Sequence, residues 1–305
     1  MTGTTRLLTP LDALLVLVVV SWGANLSLIK VVLRELPAGT FNALRLLVAA
    51  ALFAVVIART PAGQRRHIAT ADWPRVAALG VFGGTLYQVL FLAAVPRTSV
   101  ANTGLIFGMA PVVISLLSAA VGHERFGWTR WLGGALSVVG LYFVVGVGAT
   151  LSVNSLAGDL LALASVLCWA GYSVASRPLL GRYSPTVLTA WTQIVGTCLY
   201  LPLTVPDLRA TQWEGVSALG WGLTVVSAVF CLVAAYVIWY TGVQRLGATR
   251  TSAYSNLTPI AAMLIGWLWV GEPLTAAQGI GAAAILAGVF VTRLSPVVLS
   301  PLRSA

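Results

Sequence analysis

The chain has 305 residues, of which 58% are hydrophobic and only 9% charged, with a formal net charge of +10 at pH 7. Because soluble domains carry about 25% charged residues, this composition excludes a soluble enzyme, a disordered chain and a disulfide-rich secreted domain. It predicts an all-α integral membrane protein whose spans each need about 20 apolar residues.

The apolar runs predict ten transmembrane helices joined by short links. The first run begins at Leu11 and is too long for a secretory signal, so we interpret it as a retained span. Short links make consecutive helices antiparallel neighbours. In chain order the predicted spans lie near residues 11–33, 41–58, 74–95, 99–121, 130–148, 157–177, 184–204, 217–241, 248–270 and 275–293.

The basic residues indicate the orientation of these spans. With ten spans, 13 of the 18 Lys and Arg residues fall on the side that carries both termini. Since Lys and Arg are enriched in cytoplasmic loops, we expect both termini to be cytoplasmic, in a cell inner membrane. The positive charge is thereby explained by topology, and we expect the lipid bilayer but no nucleic acid as a partner.

The two halves of the chain resemble each other. Four residues recur 148 positions later: Pro111 as Pro259, Glu124 as Glu272, Gly133 as Gly281 and Gly140 as Gly288. Each half holds five predicted spans, an odd number, so the second half inserts upside down. Inverted repeats of this kind are typical of secondary transporters, although a duplication kept only for packing is the alternative. The predicted domains are residues 1–150 and 151–305.

Three stretches carry a resemblance to a known family. They are Gly122-His123-Glu124-Arg125-Phe126, its counterpart Gly271-Glu272-Pro273-Leu274, and the opening Trp22-Gly23-Ala24-Asn25. Together with the repeat, they resemble the EamA repeat of the drug/metabolite transporter superfamily, and within it most resemble the bacterial YddG-type amino-acid exporters. The resemblance implies a ten-helix exporter-like fold. The second half departs from the opening motif, because it has Trp169-Ala170-Gly171 instead.

Polar and aromatic residues near the middle of the spans are the candidate substrate-cavity residues. Buried polar groups in a membrane are costly unless they face protein or water, and Tyr236 and Tyr240 share one helix face. The alternative for each aromatic residue is the interfacial belt or the lipid-facing surface. We assign to the belt Trp73, Trp128, Trp131 and Trp213, which lie near span ends. The predicted cavity residues are Trp22, Asn25, Tyr87, Gln88, Asn102, Trp169, Tyr172, Tyr236, Trp239, Tyr240, Tyr254 and Asn256.

Two basic residues enter predicted spans. Lys30 and Arg45 either extend to the membrane surface or face the cavity and bind a substrate carboxylate. No Asp or Glu lies in the middle of a predicted span. This favours facilitated diffusion or exchange of a neutral or zwitterionic solute over a carboxylate proton relay, although proton transfer through Lys30, Tyr or His groups stays open.

Pairs of residues at equivalent positions suggest structural roles. Pro111 and Pro259 are expected to kink the fourth and ninth spans, either as hinges for alternating access or as static kinks. Glu124 and Glu272 follow those spans and are expected to cap the next helix. Asp12, at the start of the first span, has the same expected role.

The function that the sequence predicts is transport, not catalysis. We expect a secondary transporter that exports small metabolites, in particular aromatic or large neutral amino acids, by alternating access. A drug, nucleotide-sugar or phosphometabolite carrier is the alternative, and an intramembrane enzyme or a receptor is a candidate from another class. The chain has no phosphate-binding loop and no metal-ligand spacing, so no cofactor is expected, and a monomer is favoured.

Overall fold

The computed structural model describes residues 9–59, 67–94, 97, 106–122, 128–143, 156–265, 268 and 276–294. No strand occurs within these ranges, so the predicted all-α architecture is confirmed for them. We label the helical segments α1 (Pro10–Val32), α2 (Ala38–Arg59), α3 (Thr70–Ala94), α4 (Ala110–Ala120), α5 (Trp128–Leu141), α6 (Leu156–Leu180), α7 (Pro185–Ala210), α8 (Ala218–Leu246), α9 (248–265) and α10 (Ala276–Leu294).

Six of the segments are long and apolar enough to cross a membrane, namely α1, α2, α3, α6, α7 and α8. Their outward faces carry large apolar side chains, such as Leu17, Leu167 and Phe230, whose exposed fractions are 59%, 49% and 57%. An apolar surface of this extent is unfavourable in water and suits lipid. The chain is therefore a multi-pass membrane protein.

The start of α1 is capped by its own side chains. The Thr9 hydroxyl accepts a hydrogen bond from the Asp12 backbone N–H, and the Asp12 carboxylate accepts one from the Thr9 backbone N–H at 2.6 Å. This reciprocal pair is a capping box, which satisfies backbone donors that the first helical turn leaves free. The expected capping role of Asp12 agrees with this geometry.

Two long segments contain a π-helical stretch in their middle. In α3 it covers Gly80–Leu86, and in α8 it covers Ser227–Ala234. A π-helix shifts the hydrogen bonds from i→i+4 to i→i+5, and such stretches occur frequently at functional sites. Both stretches lie next to the aromatic residues that the sequence places near the middle of these spans.

The structure corrects the expectation of kinks within continuous helices at the two prolines. Pro111 lies in the first turn of the helix Ala110–Ala120, directly after a turn at Gly108 and Met109. Pro259 lies in the first turn of Leu257–Ile265, directly after a short 3-10 stretch. A proline in the first turn of a helix removes no intrahelical hydrogen bond, so the chain starts a new helix at each proline.

Glycines bring pairs of helices into backbone contact. A Cβ atom added to Gly84 in α3 would lie 2.7 Å from the Cα atom of Gly196 in α7. The same kind of contact joins α5 and α10, where Gly140 faces the backbone of Gly281. Small residues allow this approach, and close van der Waals packing is what holds helices together in lipid.

One aromatic residue that we assigned to the interfacial belt is half-buried against a neighbouring helix. Trp73, at the start of α3, meets Trp191 of α7 edge to face, with ring centroids 5.1 Å apart. Both rings contact the main hydrophobic core. This contact therefore helps to hold α3 against α7.

Candidate functional site

Seven aromatic side chains from four helices meet near the middle of the molecule. We call this set the aromatic cluster. Trp169 of α6 lies at its centre, with its ring centroid 5.6 Å from those of Tyr87 and Tyr236 and 5.8 Å from those of Trp22 and Trp239. The cluster consists of Trp22, Tyr87, Trp169, Tyr172, Tyr236, Trp239 and Tyr240.

The sequence placed all seven residues near mid-depth and expected them to line a cavity. In the structure the rings instead pack against one another, and Trp239 and Tyr240 are 0% and 1% exposed. Most of the ring pairs are tilted or edge to face, which are favourable arrangements for aromatic contacts. The described conformation is therefore closed around the cluster.

Two further rings extend the cluster along α3 and toward α4. Phe91 stacks on Tyr87 with centroids 6.1 Å apart, and Phe107 meets Phe91 at 5.4 Å. Our sequence analysis missed both. Phe91 could have been found from its spacing, because it lies four residues after Tyr87 and so shares its helix face.

Hydrogen bonds fix the orientation of two rings in the cluster. The Trp22 indole N–H donates to the carbonyl oxygen of Cys231 at 3.0 Å, within the π-helical stretch of α8. Tyr172 and Thr192 of α7 are joined through their hydroxyls at 2.8 Å. The indole N–H of Trp239, in contrast, has no hydrogen-bond partner among the described residues, although it is buried.

A buried cation lies beside the cluster. Arg45 of α2 is only 5% exposed, and its Nη1 donates to the Ser227 hydroxyl at 3.2 Å. Ser227 in turn donates to the Asn25 side-chain oxygen at 2.7 Å. The guanidinium also stands over the Phe41 ring, 5.2 Å from its centroid, in a cation–π contact.

Other predicted cavity residues lie near this group or elsewhere. Gln88 of α3 is 2% exposed, and its side-chain oxygen has no partner within the described part of the chain. Tyr254 donates a hydrogen bond to the Asp12 carboxylate at the far end of α1. Since Asp12 and Trp22 are ten residues apart, this contact is about 15 Å from the level of Trp22 along the helix.

Asn256 lies in a second region of the protein. Together with Pro111 it borders a mainly apolar cavity of about 370 Å³ between α4, α5 and α9. This cavity is separate from the aromatic cluster, because none of the seven rings lines it. The structure therefore divides the predicted cavity residues among three places.

Four predicted residues cannot be placed. Asn102, Glu124 and Glu272 lie outside the described residues, and so does the side chain of Lys30. Their predicted roles in the cavity, in helix capping and in carboxylate binding stay predictions. Within the described ranges, no group of three or more His, Cys, Asp or Glu side chains could hold a metal ion.

A polar contact that we did not predict joins the two halves of the sequence. Asp72, at the start of α3, is 3% exposed and accepts hydrogen bonds from the Tyr183 hydroxyl at 2.8 Å and from Arg182 at 3.2 Å. The Tyr183 hydroxyl also accepts one from the Ala69 backbone N–H at 3.0 Å. Arg182 and Tyr183 lie in the link between α6 and α7, and Asp72 lies in the first turn of α3. Sequence spacing gives no indication that these residues are partners.

Comparison with known proteins identifies relatives over nearly the whole chain. The model of the EamA-like transporter family matches residues 9–146 and again residues 156–294. A probable terminal-alkyne amino-acid exporter of Streptantibioticus cattleyicolor is 30% identical over 277 residues, which cover 91% of each chain. The uncharacterized transporter YyaM of Bacillus subtilis is 25% identical over 88% of each chain. A solved crystal structure superposes with a TM-score of 0.73 at 21% identity, covering 92% of this chain and 95% of the other.

Proposed function

The chain belongs to the EamA-like transporter family, and from this premise we propose that it is a secondary transporter that exports small metabolites. Aromatic or large neutral amino acids are the first candidates. The name of the Streptantibioticus cattleyicolor relative, an amino-acid exporter, supports this choice of solute.

The observation that carries the proposal is the aromatic cluster. Its rings come from both halves of the sequence, since Trp22 and Tyr87 lie in the first half and the other five in the second. Aromatic faces and edges provide a large apolar contact area for an aromatic or aliphatic side chain. A solute held there lies between the two halves, where secondary transporters place their binding sites.

Two inverted five-helix repeats are part of the proposal. The π-helical stretches Gly80–Leu86 and Ser227–Ala234 are separated by 147 or 148 residues, which is the offset of the sequence repeat. The contacts between helices support the same relation, because α1 packs on α8 and α9 as α6 packs on α3 and α4. These pairs match if α1–α5 correspond in order to α6–α10. We therefore propose domains 1–150 and 151–305.

The proposed topology follows from these repeats. All ten segments, α1 to α10, would cross an inner membrane, with both termini cytoplasmic and Asp72 and Tyr183 at the cytoplasmic surface. A single chain contains the whole cluster, so a monomer suffices for transport.

The proposed mechanism is alternating access. Because the rings of the cluster fill the space between them, a solute can enter only when helices carrying different rings move apart. The breaks before Pro111 and Pro259 provide positions where the chain can bend, directly before α4 and within α9, since no continuous α-helix has to be deformed there.

The test is uptake of labelled amino acids into liposomes that contain the purified protein, with and without a pH gradient. We expect saturable flux of aromatic or large neutral amino acids that falls at least tenfold in Trp169→Ala and Tyr236→Ala. The matched control is Trp128→Ala, because Trp128 is 79% exposed and far from the cluster in sequence.

Each outcome has a defined meaning. A rate of uptake that is the same with and without the pH gradient supports a facilitative carrier or exchanger. Loss of flux in Trp128→Ala as well would show that the substitutions act through general destabilisation. Absence of flux for every amino acid would reject the proposed solute class and leave drugs, nucleotide sugars and phosphorylated metabolites as the alternatives.

A further inference from the structure

The most unusual group in the described part of the chain is the guanidinium of Arg45. It is 5% exposed and lies in a membrane-spanning segment, where burying an unpaired charge is costly. Its Nε–H has no hydrogen-bond partner among the described residues. Among the described residues, the one side-chain acceptor of its hydrogen bonds is the neutral Ser227 hydroxyl, which cannot balance a full positive charge.

No described carboxylate balances this charge. Asp12 bonds Tyr254, Glu35 bonds Ser217, and Asp72 bonds Arg182 and Tyr183. Asp207 lies against Gly39 at the start of α2. No ion pair within 4.0 Å joins Arg45 to any acidic residue of the described ranges. The described residues therefore leave this charge without a counter-ion, which a bound anion would supply.

The surroundings of Arg45 connect it to the aromatic cluster. Ser227, its hydrogen-bond partner, is the first residue of the π-helical stretch of α8, and Cys231 in the same stretch accepts the Trp22 indole N–H. The Arg45 guanidinium and the aromatic cluster therefore both contact the π-helical stretch of α8.

The sequence repeat shows that this charge belongs to one half alone. At the repeat offset of 147 or 148 residues, the position equivalent to Arg45 is Thr192 or Gln193 of α7, and both are buried and neutral. If Arg45 served only to pack two equivalent helices, the second half would not need a different residue there. The difference makes the site asymmetric, as a site for an asymmetric solute should be.

From these observations we propose that Arg45 and Ser227 form the subsite that binds the carboxylate of the transported solute, while the aromatic cluster binds its side chain. A guanidinium presents N–H groups in a fork that matches the two oxygens of a carboxylate. This inference rests on the proposed transport function and adds that the solute must be an anion or a zwitterion with a free carboxylate.

The proposal includes a change of hydrogen bonds on binding. In the described conformation the single hydroxyl hydrogen of Ser227 is donated to Asn25, which joins α8 to α1. When a carboxylate binds Arg45, the same hydrogen is donated to the carboxylate and the bond to Asn25 is lost. Binding thereby loosens α1 from α8 beside the cluster, at the place where the two halves must separate.

The experiment compares matched solutes in liposomes containing the full-length protein. The solutes are phenylalanine, its amide and phenethylamine, which share one ring and differ in the carboxylate, with phenyl phosphate as a competitor. Wild-type protein should prefer phenylalanine to both analogues at least tenfold in kcat/KM. In Arg45→Gln this preference should disappear, and in Ser227→Ala KM for phenylalanine should rise about tenfold.

The control is Arg59→Gln, which removes a cation from the exposed cytoplasmic end of the same helix and should leave the preference intact. If Arg45→Gln does not fold, Ser227→Ala and the wild-type comparison of solutes still decide the matter. Equal wild-type transport of phenylalanine and its amide would overturn the carboxylate subsite. Stronger inhibition by phenyl phosphate than by phenylalanine would assign the subsite to phosphate instead.

This result is distinguishable from failure of the proposed function. If no amino acid is transported at all, the proposed function fails. If amino acids are transported, but kcat/KM depends neither on the carboxylate of the solute nor on Arg45, only the proposed subsite is rejected.

Discussion

Gly140 and Gly281 bring α5 and α10 into backbone contact, because a Cβ atom on Gly140 would lie 2.6 Å from the Gly281 carbonyl oxygen. The reverse contact has the same form, since a Cβ atom on Gly288 would lie 2.5 Å from the Gly133 carbonyl oxygen. These four residues are the two glycine pairs of the sequence repeat. The contact therefore looks the same from either helix, which supports the proposed inverted repeat.

The first prediction is that Gly140→Ala destabilises the protein. The added methyl group meets backbone and cannot be accommodated by a rotamer change, so we expect a loss of about 1–3 kcal/mol in the free energy of unfolding. Gly134→Ala on the same helix is the control, because nothing lies within 4 Å of its Cβ position. Thermal unfolding in detergent measures both. Equal melting temperatures for the two variants would contradict the close contact.

The second prediction separates two tryptophans of the aromatic cluster. Trp22→Phe leaves the Cys231 carbonyl oxygen without the indole donor, so we expect a loss of about 1 kcal/mol in stability. Trp239→Phe removes an N–H that has no partner in the described ranges. No hydrogen bond is lost in this variant, so we expect a smaller loss of stability than in Trp22→Phe. If that N–H binds the solute, KM rises in Trp239→Phe. Melting temperature and KM together test this, and a matching loss of stability in both variants would refute it.

The third prediction concerns the contact between Asp72 and Tyr183. The Tyr183 hydroxyl donates to a buried carboxylate, and hydrogen bonds to charged groups contribute about 1.5–3 kcal/mol. A double-mutant cycle of Asp72→Asn and Tyr183→Phe should give a coupling energy of at least about 0.5 kcal/mol. Tyr142→Phe serves as the control, since Tyr142 is exposed. Additive effects of the two substitutions would argue against the contact.

The fourth prediction concerns the start of α1. Tyr254→Phe removes the hydroxyl that donates to Asp12, the residue that caps this helix. Loss of about 1–1.5 kcal/mol corresponds to about a five- to twelvefold change in the local opening equilibrium. Hydrogen–deuterium exchange of the first turn of α1 should accelerate accordingly. Unchanged exchange in Tyr254→Phe would show that Thr9 alone is sufficient to hold the turn.

The fifth prediction tests the helix break at Pro111. In Pro111→Ala the chain can form the hydrogen bond that proline lacks, so α4 can continue through Gly108 and becomes stiffer. We expect slower substrate exchange, with at least a fivefold lower turnover number and little change in KM. Pro259→Ala, the equivalent change in α9, provides the comparison. Wild-type turnover in both variants would show that the breaks are static.

The sequence predicted how far along its helix each residue lies, but it did not predict which residues of other helices it contacts. Helical spacing gives the position of a residue along its helix axis, at 1.5 Å per residue, and this sufficed to select Trp22, Trp169 and Tyr236 as residues of one level. The rotation of each helix and the choice of its partner depend on packing against other helices. Tyr254 shows the difference, because it meets Asp12 at the end of α1 and not the rings of the cluster.

The sequence by itself determined the all-α class, the membrane environment and the internal offset of 148 residues, because apolar composition and periodicity are local properties of the chain. Only the tertiary structure decided that the seven rings pack into a closed cluster and that Arg45 is buried against Ser227. Residues 45 and 227 are far apart in the chain, and their contact exists only because α2 packs on the π-helical stretch of α8. Such contacts depend on the shapes of both helix surfaces at once, which no single stretch of sequence contains.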